Sequence, residues 1–254
     1  MGAILQSTDI IMTARPEISV IAPCHNEREN LRPLVEAVRG ALNPLGSTYE
    51  IVLVDDGSRD QSWPVLQELG RADQRVRSLR FAVNCGQSAA LWAGIQAARG
   101  QILVTLDADL QNPPSEIPRL LEALKDADCV CGSRVAARVQ GDHWLRRASS
   151  QIANSIRNKV SGETISDAGC CFRAFRRECV AHVKFFRGAH RFLPTLIKLD
   201  GYRVSEIPVR HNLRRMGRSH YGIWNRVFKT SADLLAVRWM KTRTLRYRVG
   251  ETIN

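Results

Sequence analysis

The sequence contains neither of the two glycine-rich loops that commonly hold nucleotide phosphates. The chain has no G-x-G-x-x-G pattern and no G-x-x-x-x-G-K-[ST] pattern. These absences argue against a dinucleotide-binding enzyme and a P-loop nucleotidase, because both use such glycines to bring backbone N–H groups to the phosphates. A bound nucleotide would instead have to be held by a metal ion and by arginine side chains.

The seven cysteines include no C-x-x-C pair. Cys129 and Cys131 are separated by one residue, and Cys170 is adjacent to Cys171. These spacings fit neither a zinc ribbon nor a small disulfide framework. We therefore expect reduced, buried thiols in a cytosolic protein.

Long apolar runs are missing as well. No stretch approaches the roughly 18 apolar residues that a membrane-spanning helix needs. The first residues, MGAILQSTDIIMTARPE, carry no basic segment ahead of their short apolar pieces. The sequence predicts no secretory signal peptide, and we expect a protein that is soluble or peripheral to a membrane.

Positive charge is abundant and unevenly distributed. The chain of 254 residues has a formal net charge of +12 and a sequence pI near 9.9. Between Arg210 and Arg248 there are eleven lysines and arginines but a single acid, Asp233. Such a balance indicates an anionic partner, which could be nucleic acid, a phosphorylated small molecule or an anionic membrane surface.

Strand-like apolar runs alternate with helix-like stretches over the first 135 residues. The runs lie at 18–23, 49–58, 76–84, 101–109 and 127–134. Strands that are apolar on both faces and separated by helices predict an α/β fold with a mostly parallel sheet covered on both sides. Beyond this region the sequence predicts a polar helix over 143–160, strands over 168–175 and 202–212, and a short helix between these strands.

Polar residues follow these predicted strands at their carboxyl ends, which is the edge where open α/β sheets bind ligands. The four groups are PCHNE (23–27), VDDGS (54–58), DADLQ (107–111) and GSR (132–134). Each group also has a simpler structural explanation. Asp55 and Asp56 could form a turn or cap a helix, and Glu27 could be an acid in the first turn of a helix, where it complements the helix dipole. Gln111 and the prolines after it could simply begin a helix. Their coincidence at successive strand ends favours a binding site.

The alternation in DADLQ indicates a cation site. Positions two apart on a strand point the same way, so Asp107, Asp109 and Gln111 are expected to project together. Two carboxylates and an amide oxygen are hard ligands that suit Mg²⁺ or Mn²⁺ carrying a diphosphate. The alternative is a hydrogen-bonded strand end.

The order of these motifs resembles the family 2 inverting glycosyltransferases of GT-A fold. Further matching pieces are NCGQSAA (84–90), DAGCCFRAF (167–175) and RRMGRS (214–219). The chain is most similar to the polyprenyl-phosphate group, which comprises dolichol-phosphate mannose synthases and bacterial undecaprenyl-phosphate glycosyltransferases. The similarity spans roughly residues 17–240.

The resemblance implies a role for each matching residue. Nucleotide-binding positions are Pro23, Asn26, Glu27 and Asp55; metal and diphosphate positions are Asp107, Asp109 and Gln111; diphosphate or acceptor-phosphate positions are Arg134, Arg215 and Ser219; and Asp167 lies near the reacting centre. It also implies Mg²⁺ or Mn²⁺ as cofactor and an inverting transfer from GDP-mannose or a UDP-hexose to a polyprenyl phosphate. His25 and His220 depart from the pattern, which usually has Tyr and Lys there; a neutral His carries less positive charge than Lys near pH 7.

The implied reaction can be stated in physical terms. A cation held by Asp109, with Asp107 or Gln111, and fixed arginines such as Arg134 would stabilise charge on the departing nucleoside diphosphate. The acceptor phosphate is already anionic, so Asp167 is expected to orient groups rather than remove a proton. Without the resemblance, Asp167 could equally be a helix cap and Arg134 a surface arginine.

The expected organisation is a flexible N-terminus (1–16), a GT-A catalytic domain (17–221) and a basic amphipathic C-terminal helix with its tail (222–254). The apolar face of that helix is predicted to comprise Ile223, Trp224, Val227, Phe228, Leu234, Leu235 and Trp239. It could pack on the domain or lie on an anionic membrane. The lipid acceptor favours the membrane, which predicts a cytoplasmic protein bound to the inner face, or one that meets its lipid through a separate membrane protein.

Two other classes remain open at this stage. A nucleic-acid-binding module would explain the charge, but an acidic rim would repel a phosphate backbone, and we expect no nucleic-acid partner. A glycosyltransferase that uses a saccharide acceptor in polysaccharide or lipopolysaccharide synthesis would need a true general base, and it gives no reason for a basic interfacial helix.

Overall fold

The computed structural model describes residues 15–135, 166–167, 169–212, 223–243 and 251, and in the last helix it describes side chains from residue 232 onward. Several predictions concern residues outside these ranges: most of the N-terminal segment 1–16, the helix over 143–160, and the phosphate-binding residues Arg215, Ser219 and His220.

The described part of the chain contains a seven-stranded sheet in the order β3-β2-β1-β4-β6-β5-β7. β6 runs antiparallel to β4 and β5, whereas the other pairs are parallel. The strands are β1 (Ile18–Cys24), β2 (Tyr49–Asp55), β3 (Val76–Arg80), β4 (Ile102–Thr105), β5 (Cys129–Ser133), β6 (Arg173–Arg176) and β7 (Val204–Pro208). The prediction of a mostly parallel sheet is confirmed.

Helices cover both faces of the sheet. They are α1 (Arg28–Leu42), α2 (Ser62–Ala72), α3 (Gln87–Ala97), α4 (Ile117–Ala123), α5 (Leu193–Leu199) and α6 (Ile223–Arg243). Short 3-10 turns occupy Asn43–Leu45, Pro114–Glu116, Arg177–Val180 and Ala189–Arg191. The short helix predicted over RRECVAHVKFF (176–186) is instead the 3-10 turn Arg177–Val180 followed by irregular chain, and the helix between β6 and β7 is α5, further along the chain.

Each face of the sheet buries its own apolar cluster. On one face, Leu34 of α1, Leu66 of α2 and Leu120 of α4 pack with strand residues such as Val20. On the other face, α3, α5 and α6 pack over residues that include Ile21. Because adjacent residues Val20 and Ile21 point to opposite faces, β1 must be largely apolar on both faces, which explains its run ISVIAPC. The one buried polar residue in this run, Ser19, donates its hydroxyl to Glu50 at 2.7 Å.

The last helix divides its apolar residues between the core and the surface. Leu234 and Val237 are buried, but Leu235 and Trp239 are each 64% exposed. Successive residues on an α-helix lie about 100° apart, so Leu234 can face the core while Leu235 faces outward. In the part of the helix whose side chains are described, the residues predicted to form one apolar face are thus divided between the core and the surface. Among the described residues, none of the helices combines the length and apolarity that would carry it across a bilayer.

Candidate active site

The carboxyl edge of the sheet brings together most of the predicted site residues. Pro23 is the second-last residue of β1, and Asn26 and Glu27 follow that strand. Asp55 ends β2, and Arg134 follows β5. The segment after β4 carries Asp107, Asp109 and Gln111. Asp167 approaches the same edge and contacts Arg134. These positions agree with the expectation that polar groups gather where parallel strands end.

Asp56 holds the loop that precedes α3. Its buried carboxylate accepts hydrogen bonds from the backbone N–H groups of Cys85 (2.7 Å) and Gly86 (2.9 Å) and from the Asn84 amide (3.0 Å). Gly57 lets the loop come this close, because it has φ +65° and an added Cβ would lie 2.6 Å from the Asn84 nitrogen. The family resemblance assigns a role to Asp55 and none to Asp56, whereas in the structure Asp56 is the aspartate that organises this loop.

Asn26 and His25 join the end of β1 to the loop after β2. Asn26 adopts φ +55°, donates its backbone N–H to Ser58 Oγ (2.9 Å) and accepts from the Arg59 N–H (2.9 Å). His25 Nδ1 donates to the carbonyl of Asp56 (2.8 Å), and His25 Nε2 accepts from the Asn26 amide (3.1 Å). In this structure Asn26 therefore shapes the site, and His25 is fixed by it.

Asp55 retains an acceptor atom at the predicted nucleotide end. The side chain is fully buried, and its Oδ1 accepts from the Ser58 N–H at 2.9 Å. Arg80 Nε lies 3.4 Å from Oδ2 as an ion pair, but Oδ2 has no hydrogen-bond partner in the described structure. Buried polar atoms are normally satisfied, so an orphaned carboxylate oxygen here is a feature of a ligand site. Nearby, Glu27 accepts from the Asn30 amide at 2.5 Å.

The strand alternation predicted for the DADLQ segment is not what the structure shows, because β4 ends at Thr105 and the segment lies in the turn that follows. Ala108 is buried in the core, whereas Asp107, Asp109, Leu110 and Gln111 are all half-buried. Leu110 has φ +58°, which is rare for a leucine and is the kind of backbone strain found at functional sites. The Gln111 N–H donates to Asp109 Oδ1 at 3.2 Å, so the loop is held together by one of its own carboxylates.

Asp107 is crowded by negative charge. Burial raises the pKa of Asp107 to about 6, and the neighbouring Asp109 carboxylate adds to this shift, while Arg134 and Arg173 oppose it. Gln87 Nε2 donates to Asp107 Oδ1 at 2.8 Å and fixes the side chain. A buried carboxylate whose pKa is raised by a neighbouring carboxylate marks a place where a cation is favoured.

The donor set fits Mg²⁺ or Mn²⁺, which the protein holds only in part, better than a zinc ion with a complete protein shell. No group of three or more His, Cys, Asp or Glu side chains among the described residues is placed to hold a metal ion by itself. Magnesium sites usually take one or two carboxylates and fill the remaining positions with water and substrate phosphates. Asp107, Asp109 and the Gln111 amide match that partial set.

Arg134 and Asp167 form a buried, two-pronged ion pair. Arg134 Nε and Nη2 donate to the two Asp167 oxygens at 2.7 and 2.9 Å, and the Arg134 backbone N–H donates to Oδ2 at 3.1 Å. Burial alone would lower the pKa of the Arg134 guanidinium, but the bonds to Asp167 raise it above its ordinary value. Both carboxylate oxygens are thus engaged, which suits an orienting role for Asp167.

Two further residues near the candidate active site were not predicted. Glu206 on β7 accepts from the backbone N–H groups of Ser166 (2.8 Å) and Asp167 (3.2 Å). Arg173 on β6 is buried, donates to the carbonyl of His190 at 2.8 Å, and lies near enough to Asp107 to oppose its pKa shift. An arginine inside the apolar run CCFRAF was the one available signal for Arg173, whereas the sequence alone gave none for Glu206.

Residues after β7 bind the DADLQ segment and the 3-10 turn that follows it. The Asn212 N–H donates to the Gln111 carbonyl at 2.8 Å. Arg210 binds the buried carboxylate of Glu116 at 2.6 Å, and Arg119 binds the same side chain. Burial would raise the pKa of Glu116, but the bonds from these two arginines lower it, so the anchor stays ionised.

Comparison with known proteins gives a family match over most of this region. Residues 19–183 match the glycosyl transferase family 2 profile. The chain is 39% identical over 207 residues to an undecaprenyl-phosphate 4-deoxy-4-formamido-L-arabinose transferase from Edwardsiella ictaluri (strain 93-146). That alignment covers 81% of this chain and 63% of the relative, so the chain spans less than two thirds of that protein.

Solved structures agree on the fold. A mannosyltransferase, PcManGT from Pyrobaculum calidifontis in complex with GDP-Man and Mn²⁺, superposes with a TM-score of 0.62 at 20% identity, covering 91% of this chain and 65% of that one. Glucosyl-3-phosphoglycerate synthase from Mycobacterium tuberculosis, in complex with Mn²⁺, UDP and phosphoglyceric acid, gives a TM-score of 0.62 at 17% identity, with coverages of 91% and 80%. The expected GT-A fold is confirmed by these similarities.

Proposed function

The chain belongs to glycosyl transferase family 2, and we propose that it moves a sugar from a nucleoside diphosphate sugar to a polyprenyl phosphate, with inversion at the anomeric carbon. The observation that carries this proposal is the crowding of Asp107 and Asp109 at the carboxyl edge, beside the buried guanidinium of Arg134. The acceptor class is supported by the relative whose name specifies undecaprenyl phosphate.

The diphosphate is held from two sides in this proposal. Asp109, with Asp107 and Gln111, would hold Mg²⁺ or Mn²⁺, which supplies positive charge to the departing diphosphate when bound. Arg134 Nε and Nη2 already donate hydrogen bonds to Asp167, so we expect Nη1 to donate to a phosphate oxygen. A guanidinium that is already fixed needs no reorganisation as charge develops, which is how preorganised donors lower a barrier.

The acceptor phosphate attacks without a protein base. Its oxygen is anionic at neutral pH, and Asp167 has both oxygens bonded to Arg134, so Asp167 orients the arginine rather than taking a proton. The nucleotide end would comprise Pro23, Asn26, Glu27 and Asp55, where Asp55 Oδ2 offers an unmatched acceptor. Arg215 and Ser219 remain proposed phosphate contacts.

The direct test offers the purified protein UDP- and GDP-sugars with undecaprenyl phosphate and Mn²⁺, and measures the lipid-linked sugar. We expect product from one donor class, loss of product in EDTA, and recovery with Mn²⁺ or Mg²⁺. Asp109→Ala should abolish transfer without changing the circular dichroism spectrum. Asp126→Ala is the matched control, since Asp126 is exposed ahead of β5 at the opposite edge of the sheet. Full activity in EDTA, or transfer only to saccharide acceptors, would contradict the proposal.

We further propose that α6 holds the protein on the cytoplasmic face of an anionic membrane. The exposed Leu235 and Trp239 lie one helical turn apart, and Arg238 and Arg243 are exposed beside them. Apolar side chains flanked by basic ones suit the boundary between lipid headgroups and acyl chains. A separate membrane protein could provide an additional contact.

Vesicle sedimentation tests this surface. We expect binding to vesicles containing anionic lipid that exceeds retention on DNA at matched salt. Leu235→Ser combined with Trp239→Ser should reduce sedimentation, whereas Ala236→Ser, also exposed on α6, should not. Equal sedimentation of both variants would contradict the assignment.

A further inference from the structure

An open groove of about 600 Å³ runs beside the candidate active site. One wall is a line of small residues on α1, namely Pro33, Ala37, Gly40 and Ala41. At 1.5 Å per residue, this wall extends roughly 12 Å along the helix. The volume lies within the range of roughly 300–1,000 Å³ that is usual for small-molecule sites.

The lining is suited to hydrocarbon. None of its residues is charged, and five are prolines, which have no backbone N–H to donate. These are Pro33 and Pro44 on the α1 side and Pro113, Pro114 and Pro118 on the other. A polar ligand would find few donors here, so an apolar ligand is favoured.

The groove begins at the DADLQ segment. Leu110 lines it, and its two neighbours in sequence are Asp109 and Gln111. Asn212, which fixes the Gln111 carbonyl, lines the same end. Leu110, with its unusual positive φ, thus lies between the acidic segment Asp109–Gln111 and the apolar lining of the groove.

We propose that this groove binds the isoprene units nearest the phosphate of the polyprenyl acceptor, with the phosphate beside the Asp109–Gln111 segment, where the proposed Mg²⁺ or Mn²⁺ would offset repulsion from the carboxylates. The assignment rests on the proposed function. For the phosphate to reach this segment, the hydrocarbon next to it has to leave the bilayer. Exposing those units to water is unfavourable, and an apolar groove that starts at this segment removes that cost.

Gly40 allows the groove to be filled without damaging the fold. It is exposed on α1, and a Cβ built there meets no atom within 4 Å. Gly40→Trp therefore projects an indole ring into the groove, and Gly40→Ala is the matched control that leaves the groove open. Both replacements favour the helix over glycine, so neither is expected to unfold α1.

The experiment compares two water-soluble acceptors, dimethylallyl phosphate with one isoprene unit and farnesyl phosphate with three. We expect the unaltered chain to prefer farnesyl phosphate by about tenfold or more in kcat/KM. Gly40→Trp should lower that preference by about tenfold while activity with dimethylallyl phosphate stays within about twofold. Gly40→Ala should keep the preference.

An unchanged preference in Gly40→Trp would overturn the groove assignment. So would an equal loss with both acceptors, or a change in oligomeric state on size exclusion with no change in preference, which would identify a second copy as the occupant. If the unaltered chain transferred sugar to neither acceptor, nor to undecaprenyl phosphate, the proposed function itself would fail, and the groove assignment would fail with it.

Discussion

The buried pair of Arg134 and Asp167 allows a structural role to be separated from a functional one. Asp167→Leu would leave the Arg134 guanidinium, whose residue is only 8% exposed, without its two carboxylate bonds. Breaking a buried pair from one side costs about 3–5 kcal/mol, because a charge remains out of water without a partner. Arg134→Met should cost about 3 kcal/mol, since the Asp167 carboxylate then loses both guanidinium bonds and retains the bond from the backbone N–H of residue 134.

The double variant Arg134→Met/Asp167→Leu removes both charges together. We expect it to lose clearly less stability than the sum of the two single variants, because neither charge is left unpaired. Urea unfolding, monitored by tryptophan fluorescence, gives the free energy of unfolding of each of the three variants. Sugar transfer is measured on the same preparations. The double variant should regain stability yet stay inactive, since the phosphate-binding guanidinium is gone. Losses that add to within about 0.5 kcal/mol would refute the coupling.

Three further changes have expected outcomes. Gly57→Ala should destabilise the fold by about 2 kcal/mol, because the added Cβ would displace the loop held by Asp56. The displaced loop should also make the exposed Cys85 react faster with maleimide. An unchanged labelling rate would argue against displacement of the loop. Glu206→Ala should lower kcat about tenfold and Glu206→Gln less, because Gln keeps one acceptor for the backbone near Asp167; equal rates in both would remove Glu206 from the site. Burial alone would raise the pKa of Asp73, but its bonds to arginine lower it from 3.8 to about 2. Asp73→Asn should therefore lower the free energy of unfolding by about 1–2 kcal/mol at pH 7. In urea titrations, this difference in unfolding free energy between the variant and the unaltered chain should fall by about half by pH 3.

Local periodicity was sufficient to predict the α/β class and the acidic edge. Strands with apolar side chains on both faces appear directly in runs such as IVLVD, and the alternation of Asp107, Ala108 and Asp109 was visible in the letters. The described helices and strands begin and end within a few residues of the predicted ranges over the first 135 positions.

Long-range pairing was not predictable in the same way. Nothing in the sequence near Arg173 indicates that β6 inserts antiparallel between β4 and β5. The partners Arg134 and Asp167 lie far apart in the chain, and so do Glu206 and Ser166. Such contacts depend on the assembled sheet, and one sequence carries no signal for them beyond the residue types themselves.

The central position of β6 also affects how the chain can fold on the ribosome. β4 and β5 are synthesised before β6, yet each pairs with it in the finished sheet. Until β6 emerges, the nascent chain has an open hydrogen-bonding edge on β4, and unpaired edges of this kind invite association with other chains. The emerging polypeptide is therefore most exposed to aggregation during translation of the stretch between β5 and β6, and a chaperone that binds extended apolar strands would protect it there.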